Sequence, residues 1–348
     1  MKKTIAFLLA LLVLSTLLVA CLPQNNVPND TDTEAATNDN AQQTPVAVNV
    51  YTLNGTTGFG MAKMIHDAKG GAFQTENYTF TVQSDASVVL AALINGDVDI
   101  AALPTNAAAN VYNKTNGAVQ ILAVNTRGVL YLLAKGEQGV SSFEALRGKT
   151  VYVPAQNPTF IFTHLCKQNG LIPGTDITID STTYAEAAAL RDAVAAGLVE
   201  YAVLPEPMVT IAMASAKKAN VTLTNAMDLT AEWDKVCTPG SLVQGCVVVR
   251  KAFLEAHPET VENFLKAYKA SIEYLTTNTA EAAQLIVDAG IFANATVAAT
   301  AIPKCNVCYL DGADMKAAME VFLAALKDIN SNSIGGKLPE ADFYYNAQ

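Results

Sequence analysis

The chain has 348 residues, 51% of them hydrophobic and 16% charged, which is enough to bury a large core and more than one domain would comfortably hold. Its formal net charge of −10 repels phosphates and anionic headgroups. Nucleic acid and direct binding to a membrane surface are therefore poor partners.

Lys2 and Lys3 precede an apolar and small run, Ile5 to Ala20, that closes in Leu18-Val19-Ala20-Cys21. A basic start, a short apolar stretch and a small-residue end predict a signal peptide over 1–20, too short and too asymmetrically flanked for a permanent span. Cys21, directly after it, resembles the lipobox cysteine of bacterial lipoproteins. That resemblance implies a lipid on Cys21, an extracytoplasmic location and attachment to the membrane through the lipid alone. From Leu22 to Pro45 the chain is Asn, Gln, Thr, Pro, Ala and acid with no basic residue. Such a segment cannot repay its ordering entropy, so 21–45 is expected to be a flexible tether.

Ala47–Leu53 reads as a strand, Asn54–Gly60 (NGTTGFG) as a bend, and MAKMIHDAK as a helix. A strand follows at Tyr78–Gln83, then a helix ending at Asn95-Gly96 as a C-cap would. Val98–Leu103 is a short strand that Pro104 stops, and Thr105 or Asn106 stands as the N-cap of the next helix. Ile121–Gly136 holds two strand-like runs broken at Asn125–Gly128. Thr150–Val153 is a strand, and a helix starts near Asn157-Pro158. After another strand and helix, AAGLVEYAVLPEPMV (195–209) repeats the pattern of NGDVDIAALPTNAA (95–108): a glycine, a turn, an acidic residue, an apolar run, Leu-Pro and a polar restart. Each copy reads as a crossover unit of a mostly parallel sheet, and ligands of open α/β sheets sit beyond the carboxyl ends of such strands. Past Val221, Cys246–Arg250 reads as a return strand. Val261, Phe264, Leu265, Tyr268, Ile272 and Leu275 form a helical stripe, and further helices are expected at Thr279–Ala289 and Met315–Lys327.

Cys237 and Cys246 flank a Pro-Gly turn, and Cys305 and Cys308 form a Cys-x-x-Cys, so each pair could bridge in an oxidising compartment. Free thiols, or for the second pair redox or zinc chemistry, are the alternatives, although three histidines and one Cys-x-x-Cys are a thin metal set. No metal or cofactor is expected. Cys166 sits in a helical pattern as a small hydrophobe.

NGDVDIAALPTNAA, SSFEALRGKTVYVP followed by HLCKQNGL, AAGLVEYAVLPEP and VVVRKAFLEAHPETVENFLKAY, in that order and spacing, resemble the substrate-binding proteins of ABC transporters. The branch is the one that binds nitrate, taurine and alkanesulfonates and also includes pyrimidine and riboflavin binders. The likeness spans Val46 to the C-terminus. It implies an α/β, two-lobed periplasmic-binding-protein-like clamshell of type II, with mostly parallel sheets flanked by helices. Lobe 1 would be 46–130 plus 242–348 and lobe 2 would be 131–241, with the hinge near Val129–Lys135 and Pro239–Gly245. It further implies a monomer that closes on a small organic solute and is recognised by the transmembrane subunits of an ABC permease.

Asn54, Gly55, Thr56 and Thr57 occupy the first bend, where backbone N–H groups and two hydroxyls can face a ligand. By resemblance, Thr105 and Asn106 after the first Leu-Pro line the cleft, and Glu206 after the second faces it from the other lobe. An acid there suits a cationic or neutral ligand better than an anion. Asn157 and Thr159, in AQNPTF, stand where the family reads a small-residue, anion-cradling loop; Phe160 either stacks on a ligand or packs into the core. Asn125, with Thr126, ends a strand near the hinge. Arg127 is the nearest strong base; it could pair bidentately with a carboxylate or sulfonate of a ligand, but interlobe ion pairing is the preferred reading, and Asp85 reads as a turn or cap. The three histidines have no nucleophile arrangement around them, so no enzyme is expected. The competing readings are a ligand-sensing lipoprotein for a membrane receptor and an enzyme of the pyrimidine or menaquinone branches of the fold, whose cytoplasmic placement conflicts with Cys21.

Overall fold

The computed structural model describes residues 44–136 and 140–346. The expected signal peptide, Cys21 and the tether up to residue 43 lie outside the described residues. Among the described residues no helix is long and apolar enough to cross a membrane.

Eleven strands are present among these residues: β1 (Val46–Leu53), β2 (Glu76–Gln83), β3 (Ile100–Pro104), β4 (Val119–Arg127), β5 (Leu130–Lys135), β6 (Thr150–Tyr152), β7 (Thr178–Asp180), β8 (Tyr201–Pro205), β9 (Leu223–Asp228), β10 (Val243–Arg250) and β11 (Val307–Leu310). They form two sheets, one ordered β11-β4-β10-β3-β1-β2 and the other β7-β6-β8-β5-β9. The chain passes from the first sheet to the second between Arg127 and Leu130 and returns between Asp228 and Val243.

The expectation of mostly parallel sheets is overturned. β1 pairs parallel with β2 and β3, and β6 with β7 and β8, but β10 runs antiparallel to both β3 and β4, β11 to β4, and β5 to both β8 and β9. The sheets are mixed, with antiparallel ladders in the majority. The cause lies in the connectivity: strands joined by helical crossovers run parallel, whereas a chain that changes sheet directly brings strands in from the opposite direction. Each copy of the sequence repeat marks the boundary. β3 and β8 both have a parallel neighbour on one side and an antiparallel one on the other.

Local chemistry explains the punctuation. Asp85 caps the helix Ala86–Asn95 by accepting the Ser87 N–H at 2.8 Å, and Gly96 ends it at φ 84°. Gly197 takes the same left-handed turn, φ 71°, after the helix Ala187–Ala195. In β10, Val247 and Val249 point to one face of the first sheet and Cys246 and Val248 to the other, all fully buried, as a central strand requires.

One face of the first sheet packs on the helices Pro258–Thr277 and Thr279–Asp288; the whole predicted stripe from Val261 to Leu275 is buried there. The other face shares its core with the second sheet. Met315, Met319, Phe322, Leu323 and Leu326 of the helix Gly312–Asn330 lie in one cluster with Leu103 and Val124 of the first sheet and Leu132, Val151 and Val203 of the second. This last helix joins the two halves: the Phe322 ring sits 5.7 Å from that of Trp233, whose indole N–H donates to Ser241 Oγ at 2.8 Å.

The expected disulfides are not formed; Cys166, Cys237, Cys246, Cys305 and Cys308 are free thiols. Cys305 is buried on one face of the first sheet while Cys308 packs against the cluster on the other. Cys246 points its Sγ at Leu103 O (3.5 Å) from inside the sheet, and Cys237 lies 3.4 Å from His164 Nε2. Closeness in sequence did not bring the two thiols of either pair together.

Candidate functional site

A cleft of about 620 Å3 opens where the two sheets face each other. From the first sheet come Asn54, Gly55 and Thr56, directly after β1, and the turn Gly290–Ala293 with Val287. From the second come Pro205 at the end of β8, Glu206, Pro207 and Met208 directly after it, and Ala187 at the start of its helix. The wall is largely aliphatic and aromatic, and the Phe292 ring is held edge-on against Phe59, 6.1 Å between centroids.

The first bend is shaped by two glycines. Gly55 adopts φ 80°, and a Cβ there would meet open space; Gly58 lies so close to the Leu53 carbonyl that no side chain fits. The N–H groups of this bend are partly spent. Asn54 donates to Gln83 O at 2.9 Å and Gly55 to Ile291 O at 3.2 Å, which ties the bend to both neighbouring segments. Thr57 contributes its carbonyl to Asn125 Nδ2, 3.1 Å away.

Glu206 is buried at the opposite wall, and the peptide to Pro207 is cis. Its Oε2 accepts the Thr210 N–H at 3.1 Å and its Oε1 the Thr210 hydroxyl at 3.0 Å. Lys304 Nζ, from the first-sheet side, stands 3.9 Å from Oε1. Burial raises the Glu206 carboxyl above the ordinary value, with the Thr210 bonds and Lys304 working the other way. Tyr131 of β5 donates its hydroxyl to the Lys304 carbonyl at 3.0 Å, so the same short segment is held from the second sheet twice.

The structure thus brings Asn54, Gly55, Thr56 and Glu206 onto one cavity. It places the other sequence candidates elsewhere. Thr105 is fully buried and donates to Val243 O at 2.7 Å, fastening the end of β3 to β10. Asn106 turns its Nδ2 toward Ser333 O at 3.5 Å and leaves Oδ1 buried without a partner. Asn125 is buried, holding Thr57 and Tyr268. Thr159 donates to Pro154 O at 2.8 Å, and Asn157 Oδ1 is buried without a partner. Phe160 packs against the shared core. Arg127 lies against Gly240 and Cys308 at the crossing between the sheets. The His164 ring lies tilted against Trp233, 5.0 Å between centroids, and no group of three or more metal-ligating side chains occurs among the described residues.

Sequence reasoning missed Val287, Gly290, Ile291, Phe292 and Met208. The available signal was Ile-Phe set between Gly290 and Asn294, a large aromatic in a turn context.

Two mixed α/β sheets, joined by two crossings of the chain and enclosing a cleft at their loop ends, define a two-lobed, periplasmic-binding-protein-like architecture. The chain belongs to the NMT1/THI5-like family, whose model matches residues 73–282. Solved structures share the fold. One is described as an ABC transporter from Parabacteroides distasonis, 24% identical, with a TM-score of 0.72 over 87% of this chain and 100% of that one. Another is the periplasmic aliphatic sulphonate binding protein SsuA from Escherichia coli, 14% identical, TM-score 0.68, over 86% and 96%. A third is the ligand-binding component of an ABC-type import system from Staphylococcus aureus with zinc bound, 12% identical, TM-score 0.65, over 86% and 96%. No match is found among curated proteins.

Proposed function

We propose that this chain is the solute-capturing component of an ABC importer, carried outside the cytoplasm on a lipid at Cys21, which takes up a small organic solute between its lobes and delivers it to the permease. The observation that carries the reading is the cleft itself: about 620 Å3, walled by segments of both sheets and rich in apolar side chains with a few polar groups at its rim. The names of the structural relatives agree with it.

In this reading Asn54, Thr56 and the backbone at Gly55 meet the solute from lobe 1, and Glu206, Met208 and Ala187 meet it from lobe 2. The lobes, 46–130 with 242–348 and 131–241, move about the crossings near Val129–Lys135 and Pro239–Gly245. Closure removes water from both the solute and the apolar wall, and the closed form is the one the permease reads. The protein acts as a monomer and performs no chemistry on its cargo.

The test is small-angle scattering of the full chain with and without extracted solute, alongside a melting curve and an assay for altered solute. A more compact particle, a raised midpoint and an unchanged solute are expected. A particle whose dimensions and midpoint ignore every extract fraction, or a solute recovered as a new compound, would overturn the proposal.

A further inference from the structure

Glu206 alone carries an ionisable side chain among the described residues that line the cleft, and that side chain is fully buried. Its oxygens already have partners within the protein, the Thr210 N–H and hydroxyl. Its counter-charge also comes from the protein: Lys304 reaches across from the other lobe to 3.9 Å, on a segment whose carbonyl accepts the Tyr131 hydroxyl. At the facing wall the Asn54 and Gly55 N–H groups are bonded to Gln83 O and Ile291 O, which leaves Thr56 as the neutral donor of the bend and no positive charge there for an anion.

The consequences follow from desolvation. An anion entering this cleft sheds its hydration with a fixed carboxylate nearby and the neighbouring ammonium already engaged. A cation sheds its hydration for an acid whose charge is already balanced. Neither finds an unpaired opposite charge to repay that loss. A solute without net charge avoids both penalties and gains from the apolar wall and from the Asn54 amide, which can donate and accept. Resting on the solute-binding reading above, we propose that Glu206 and Lys304 form an internal charge pair that sets this cleft for a solute of zero net charge, with Lys304 as a specificity-determining residue. Removing one member leaves the other to seek its counter-charge in the solute.

The test separates an extract of cells and growth medium by ion exchange at neutral pH into anionic, cationic and unretained pools. Each pool is added to the full chain and to the K304Q and E206Q variants, and the melting midpoint is read. For the unaltered chain the unretained pool should raise the midpoint by roughly 5 °C at a hundredfold excess over Kd, with the charged pools giving no shift. K304Q should respond to the cationic pool and E206Q to the anionic pool. Lys304 is half exposed, so K304Q retains its fold and carries the test alone should circular dichroism show E206Q unfolded. A shift of the unaltered chain by a charged pool alone would overturn the charge inference and leave solute capture standing. No shift by any pool would overturn solute capture itself. Variants that keep the unretained preference would overturn the role of the pair.

Discussion

Asn125 joins Thr57 to Tyr268 through a single amide: its Nδ2 donates to the Thr57 carbonyl at 3.1 Å and to the Tyr268 hydroxyl at 2.9 Å, while its Oδ1 accepts the Thr126 hydroxyl at 3.0 Å. The strand β4, the first bend of the cleft and the helix Pro258–Thr277 therefore meet at one buried side chain. N125L fills similar space but strands these polar groups, and should lower stability by about 3 kcal/mol. Urea unfolding checks this through a lower midpoint at an unchanged slope.

Glu206 should give the stability a recognisable dependence on pH. Burial raises its folded-state carboxyl above the ordinary 4.5, so the folded chain holds that proton more tightly than the unfolded one. The resulting contribution to stability is full below the unfolded value and is lost as pH rises through the raised folded value. E206Q cannot ionise. Its stability relative to the unaltered protein should therefore climb as pH rises from about 4.5, and a series of thermal melts across that window reads the difference.

Phe322 and Trp233 report on the joint between the lobes. Trp233 is the single tryptophan of the chain and is fully buried beside Phe322. F322A should cost about 4 kcal/mol through lost contacts and the cavity left behind. It should also move the tryptophan emission to longer wavelength, which a fluorescence-monitored unfolding curve measures together with the stability.

The cysteines give a prediction of mass. Alkylation of unfolded, unreduced protein should modify all five cysteines of the described residues, since each is a free thiol. In the folded protein Cys246 and Cys305, fully buried and with thiols raised by that burial, should resist, and Cys237 should react first.

What could be read from sequence was what is decided locally. Asn95-Gly96 announces a helix end because only a residue free of Cβ strain takes φ 84° readily, and the stripe from Val261 to Leu275 is legible because one helix face determines it. The direction of β10 was not legible, since Cys-Val-Val-Val is equally apolar whichever way it runs; its partners lie more than a hundred residues away. The same holds for the cleft. Asn54–Thr56 and Glu206 stand out as polar residues at strand ends, whereas Ile291 and Phe292 read as core and do pack with it, and only the fold shows that their turn also walls the cleft. Thr105 carries the same corner signal as Glu206, but Val243 takes its hydroxyl, a contact that only the returning strand creates.

The central place of β10 also orders the birth of the molecule. All strands of the second sheet, β5 to β9, are contiguous between Leu130 and Asp228 and can assemble as soon as that stretch is made. The first sheet must wait for Val243–Arg250 to fill the gap between β3 and β4. During N-to-C emergence the later-numbered half thus matures before the earlier one, whose two inner strand edges stay open to mispairing until the chain comes back for them.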